Sequence, residues 1–191
     1  MGKWWGEEVE ARAFHDAMTD ADCQAARGVS VLPGRAALLI FAIVALALVS
    51  IACTQQQVLE MNLGTGVNQM RADNGLRPLT IDASLSMVAR ERAEDMAEKN
   101  YFGHLPPDGC DVRCLYNKEG ITSAWVGEVI AWNTFSADQT VPATLRMWLN
   151  SPTHFSVITN RCFTRMGTGI AVAKDGKIYQ VAVFEGRADG C

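Results

Sequence analysis

The sequence predicts an α+β domain over residues 58–191. Two observations carry this: apolar residues recur at helical spacing in the first half of that stretch, and two strand-like runs joined by Asp175-Gly176 lie near its end. A third observation sets the domain apart from what precedes it. Ala36–Cys53 reads AALLIFAIVALALVSIAC, 18 residues without a charge, and predicts an N-terminal apolar helix that belongs in a membrane or a translocon.

The elements follow in order. Val58, Met61, Leu63, Val67 and Met70 mark an amphipathic helix that stops at the C-cap signal Asn74-Gly75, and Leu76–Leu79 is a short linker. Asp82 can cap a second helix running to Asn100. Its inward positions are Leu85, Val88, Ala89, Ala93, Met96 and Ala97, with Arg90, Glu91, Glu94, Asp95 and Glu98 as a solvated face. Tyr101–Gly120 is loop-rich, turning at Pro106-Pro107-Asp108-Gly109, with a short helix over Asp111–Glu119. Trp125–Trp132 reads as an apolar strand around Glu128. Ala137–Leu149 is a third long helix, with Leu145, Met147 and Trp148 as core candidates; Ser151-Pro152 stops it and Thr153–Ile158 adds a helical turn. Met166–Ala173 and Lys177–Phe184 pair as a hairpin.

Charge and cysteine content bound the setting. After Cys53 there are 15 Asp/Glu and 13 Lys/Arg, a net charge of −2, with no basic stripe, so nucleic acid is excluded as a partner class. Arg27 and Arg35 precede the apolar run and the first charge after it is Glu60, which places the domain outside the membrane. Three readings of residues 36–53 stay open. One is a signal peptide cut after Ala52; another is a lipoprotein signal with Cys53 lipidated, for which Ser50 fits the usual Leu-like position poorly; the third is a retained membrane anchor. Residues 1–35 are a cytoplasmic or non-native extension. The expected location is secreted or extracytoplasmic, free or held by a membrane or lipid anchor.

Of six cysteines, four remain once Cys23 and Cys53 are set aside: Cys110, Cys114, Cys162 and Cys191. An even number in an oxidising compartment predicts disulfides, with a zinc site at Cys110 and Cys114 as the rival reading. With the hairpin turn centred between Asp175 and Gly176, facing residue numbers add up to about 351. Cys162 then lies opposite a residue close to Cys191. The preferred pairing is therefore Cys162–Cys191, leaving Cys110–Cys114 as a small local loop.

The domain has two histidines, His104 and His154, each in a loop beside proline turns, and one acidic residue, Glu128, inside an apolar strand. A carboxylate there is costly unless paired or coordinated. Two imidazoles and a carboxylate suit either a divalent metal (zinc, calcium or magnesium) or a hydrogen-bonded polar cluster without one.

Five motifs in order resemble the bacterial CAP (SCP-like, YkwD-type) family. They are Asn68-Gln69-Met70-Arg71 through Asn74-Gly75-Leu76-Arg77-Pro78-Leu79; Ala89-Arg90 through Asp95-Met96-Ala97 followed by Tyr101-Phe102-Gly103-His104; Gly127-Glu128-Val129-Ile130-Ala131; Trp148-Leu149-Asn150-Ser151-Pro152-Thr153-His154; and Gly167-Thr168-Gly169 followed by Tyr179 and Phe184. The resemblance implies a three-layer α-β-α sandwich whose cleft is lined by His104, Glu128 and His154, with Asp108 as the nearest match to a second acidic position. Val129 departs from the family's asparagine, which puts the surroundings of Glu128 in question. The resemblance also implies a non-catalytic extracellular binding module for a divalent cation, small lipid or envelope ligand. The competing readings are a metal-dependent hydrolase of peptide or cell-wall bonds, with Glu128 or Asp108 as general base, and a purely structural surface domain. No Ser sits in a G-x-S-x-G elbow.

Overall fold

The computed structural model of this protein describes residues 55–123 and 125–186. The apolar run Ala36–Cys53, the extension before it and Cys191 lie outside the described residues. The helices are α1 (55–73), α2 (Ala83–Lys99), α3 (Val112–Lys118), α4 (Ala137–Leu149) and α5 (Pro152–Ile158). The strands are β1 (Thr80–Ile81), β2 (Trp125–Asn133), β3 (Phe163–Val172) and β4 (Ile178–Gly186). They form one sheet in the order β1-β3-β4-β2, with β1 parallel to β3 and the other pairs antiparallel.

Strand alternation sends side chains to two separate cores. Ile178, Ala182 and Phe184 of β4 meet Leu59, Leu63, Val67 and Met70 of α1, Val141 and Trp148 of α4, and Ile158 of α5. Tyr179, Val181 and Val183 of β4 meet Leu85, Val88, Ala89, Ala93 and Met96 of α2 and Leu115 and Tyr116 of α3. The result is the expected three-layer α-β-α sandwich. All of β4 is buried because helices cover both faces of the strand.

Local chemistry matches the helix boundaries. Asp82 caps α2, its side chain accepting from the Leu85 N–H at 3.1 Å. Asp111 does the same for α3, accepting from the Cys114 N–H at 3.0 Å. Gly75, at φ +70°, takes the left-handed turn after α1. Gly167 serves a different need. A Cβ there would lie 2.0 Å from the Leu85 carbonyl carbon, so only glycine lets the backbone of α2 rest on β3.

Four details depart from the sequence expectation. Residues 80–81, placed past a linker, form β1, because Thr80 and Ile81 pair with Arg165 and Met166 at the sheet edge. The hairpin turn is closed by Ala173 N–H donating to Lys177 at 2.7 Å, which centres it on Asp175, so Val172 faces Ile178, one residue from the expected register. Met147 is exposed while Trp148, next to it, is fully buried with its indole N–H donating to the Ile130 carbonyl at 3.2 Å. Val129 lies in the α1/α4/α5 core, on the sheet face opposite Glu128, so its departure from asparagine does not touch that carboxylate.

Cys110 and Cys114 are joined by a disulfide across the start of α3, which excludes the zinc reading of that pair. Cys162 is also disulfide-bonded, to a partner outside the described residues. The preferred pairing with Cys191 falls there.

Candidate functional site

The site lies at β2, an edge strand. Glu128 projects toward α2 and is 3 % exposed. From α2, Arg92 reaches it with Nε donating to Oε1 at 2.8 Å, and the guanidinium is 1 % exposed. A buried carboxylate is tolerable because the planar guanidinium and further hydrogen bonds replace lost water. Arg92 spends its remaining nitrogens on the Tyr101 hydroxyl at 2.6 Å and on the Gly103 carbonyl at 2.9 Å. These bonds fix the loop that carries His104.

His104 completes the arrangement, its Nδ1 lying 2.6 Å from Glu128 Oε2. A carboxylate only accepts, so Nδ1 carries a proton and donates it. The hydrogen bond to Glu128 raises the His104 pKa above the ordinary imidazole value; burial and the Arg92 charge act against it. The ring is 60 % exposed, so Nε2, not engaged by Glu128, is presented outward.

His154 arrives from the other side of the β2 edge, on α5. Gly127 permits this approach: a Cβ there would lie 2.7 Å from the Phe163 ring and 3.2 Å from Val157 of α5. His154 Nδ1 and Ser151 Oγ are 2.8 Å apart. Burial, and then the nearby charge of His104, lower the His154 pKa, a shift opposite in direction to that of His104.

Asp108 does not join them. It is exposed, pairs with Lys99 Nζ at 2.7 Å and accepts from the Cys110 N–H at 3.0 Å. Lys99 also contacts Asp95 at 2.5 Å, and Asp95 accepts from Tyr101, so Asp108 sits at the outer end of a chain of polar groups that begins at Glu128. The four residues therefore fit a shared metal site poorly. Both Glu128 oxygens are engaged, and among the described residues no group of three or more His, Cys, Asp or Glu is arranged to hold an ion.

Arg92, Tyr101 and Asp95 were missed as site residues. The signal for Arg92 was present: it falls in phase with Leu85, Val88, Ala89 and Met96, on the stripe that must face the sheet. An arginine on such a stripe calls for a buried acid, and Glu128 was already the one acid in an apolar strand.

The sequence and the fold match a recognised family. Residues 65–184 match the sequence pattern of CAP, the cysteine-rich secretory protein family. The chain belongs to the CAP family. It is 34% identical over 120 residues to the uncharacterized protein YkwD of Bacillus subtilis (strain 168), a match covering 63% of this chain and 43% of that protein. It is 29% identical over 126 residues to the uncharacterized membrane protein YlbC of the same organism, covering 66% of this chain and 33% of that protein. The chain thus spans less than half the length of these curated relatives. Among solved CAP-like structures, an extracellular protein containing a SCP domain from Bacillus anthracis str. Ames superposes with TM-score 0.59 at 25% identity, covering 69% of this chain and 41% of that one. An outer surface protein from Borrelia burgdorferi shares the fold, with TM-score 0.58 at 23% identity, covering 65% of this chain and 90% of that one.

Proposed function

We propose that this CAP domain is a non-catalytic, extracytoplasmic binding module whose cleft takes the carboxylate or phosphate of a cell-envelope ligand. The observation that carries the reading is the division of Glu128 between Arg92 and His104. A general base needs a lone pair aimed at substrate or water. Glu128 spends one oxygen on a buried guanidinium and the other on an imidazole N–H. What the cleft offers instead is His104, whose imidazolium form that carboxylate favours and whose Nε2–H is then a cationic donor, with His154 shifted in the opposite direction. This is a recognition site for an oxygen anion.

The extracytoplasmic setting is supported by the uncharged run before the domain, by its disulfide-bonded cysteines and by the printed descriptions of its relatives, an extracellular protein and an outer surface protein.

The test is calorimetric binding of a soluble carboxylate-bearing peptidoglycan fragment and of inorganic phosphate to the wild type and to His104→Gln. Losing a charged hydrogen bond of about 1.5–3 kcal/mol weakens affinity about tenfold or more. Binding unchanged by the substitution overturns the reading. Hydrolysis of the fragment, lost in a folded Glu128→Gln variant, replaces it with the enzymatic one.

A further inference from the structure

The starting point is where α1 begins. The first described residue, 55, follows the apolar run ending at Cys53 with only Thr54 between them, a reach of about 7 Å at full extension. The first turns of α1 are clamped to β3. Gln56 donates to the Ile170 carbonyl at 2.7 Å, Glu60 accepts from the Ile170 N–H at 3.2 Å, and the Thr168 hydroxyl donates to the Glu60 carbonyl at 2.8 Å. Arg90 locks Glu60 from α2 at 2.6 Å. These bonds cap the edge of β3 and fix the start of α1 beside the end of the sheet where the β3–β4 hairpin turns.

That end has the surface of a membrane-interface element. Val58 and Phe135 are 48 % and 45 % exposed. Trp132 is half-buried, with the Lys177 ammonium 5.4 Å from its ring centroid, and Lys174 is exposed at the turn. Asp175 and Asp138 offset the two lysines, so attraction to anionic lipid does not drive contact. A retained anchor would: with residues 36–53 held in a membrane, the single residue between Cys53 and α1 would keep these side chains at high effective concentration against the surface, and aromatic and lysine side chains are the types that settle among headgroups.

We propose that residues 36–53 are retained as a membrane anchor and that the hairpin end of the domain, formed by Val58, Trp132, Phe135 and Lys174, docks on the outer lipid surface of that membrane. One consequence deepens the binding reading above and rests on it. Glu128 lies five residues along β2 from Asn133, which pairs with Ile178 beside the turn. At about 3.3 Å per residue that is about 17 Å, clear of the headgroup layer. The cleft then draws its ligand from the aqueous envelope, not from the lipid beneath it.

The test is lysine footprinting of the full chain in vesicles of phosphatidylglycerol and phosphatidylethanolamine, with a membrane-impermeant acylating reagent and mass-spectrometric readout. Lys118, on α3 and paired with Glu91 of α2, is the internal reference. A second variant inserts a Gly/Ser linker of about 12 residues after Thr54, with a root-mean-square span of about 19 Å. Expected is a Lys174:Lys118 labelling ratio several-fold lower in the native-length chain than in the linker variant. Equal ratios in the two proteins, protection of Lys118 instead of Lys174, or release of the domain from the membrane by cleavage each overturn the proposal. The readout needs no ligand, so its failure leaves the binding reading to its own test.

Discussion

Arg92→Met isolates the interaction on which the site is built. Methionine matches the stem of the arginine and removes the guanidinium, so packing in the α2/α3 core changes little. Glu128 keeps its 3 % exposure but loses the donor at 2.8 Å, and Tyr101 and the Gly103 carbonyl lose partners at 2.6 and 2.9 Å. Removing one partner of a buried ion pair costs about 3–5 kcal/mol, a large share of the 5–15 kcal/mol that holds an average domain together. Replacing both partners, Arg92→Met with Glu128→Leu, leaves no buried charge and recovers most of the loss. Urea unfolding followed by tryptophan fluorescence, with Trp148 as a fully buried reporter, gives the four corners of the cycle. Proton NMR of the imidazoles adds a second readout with a definite sign. Arg92→Met raises the His104 pKa further, because the Arg92 charge lowers it, whereas Glu128→Gln drops it, because the Glu128 hydrogen bond is the main cause of the rise. A single variant costing less than about 1 kcal/mol, or a double variant costing the sum of the two, would refute the assignment of Arg92 and Glu128 as one unit.

Other outcomes follow from the same geometry. His104 binds its proton more tightly folded than unfolded, so its contribution is complete below the ordinary value of about 6.5 and is lost as pH rises through the raised folded value. His154 behaves oppositely: its folded value is lowered, so stability is complete above about 6.5 and falls as pH drops toward the folded value. Melting temperature against pH therefore peaks close to that point, and His104→Gln flattens the alkaline limb while His154→Gln flattens the acid one. Gly167→Ala forces α2 off β3, because its Cβ meets helix backbone at 2.0 Å, and costs about 3 kcal/mol or more in urea unfolding. Cys110→Ala with Cys114→Ala opens a loop of sequence separation 4 and costs about 2 kcal/mol by loop-closure entropy, measured the same way.

The sequence by itself determined the elements and their class. Helical periodicity, the Asp82 cap and the Asp175-Gly176 turn are local signals; the helices and the cap stand as expected, and the turn forms one residue out of register. It also singled out Glu128, because a lone carboxylate in an apolar strand is an energetic anomaly visible without coordinates. The partner needed the tertiary structure. Arg92 is 36 residues away on another layer, and only the crossing of α2 over the sheet brings the two charges to 2.8 Å. The fate of Asp108 was equally hidden: its side chain is drawn outward by Lys99, nine residues earlier, a competition between partners that spacing does not encode. The placement of Val129 on the far face of β2 depended on strand phase relative to Glu128, and the clamp of α1 on β3 depended on contacts more than a hundred residues apart. Local propensities are written along the chain. Which charges meet, and which end of the sheet receives the start of α1, are properties of the packed layers, where burial makes each unpaired group costly enough to choose its partner.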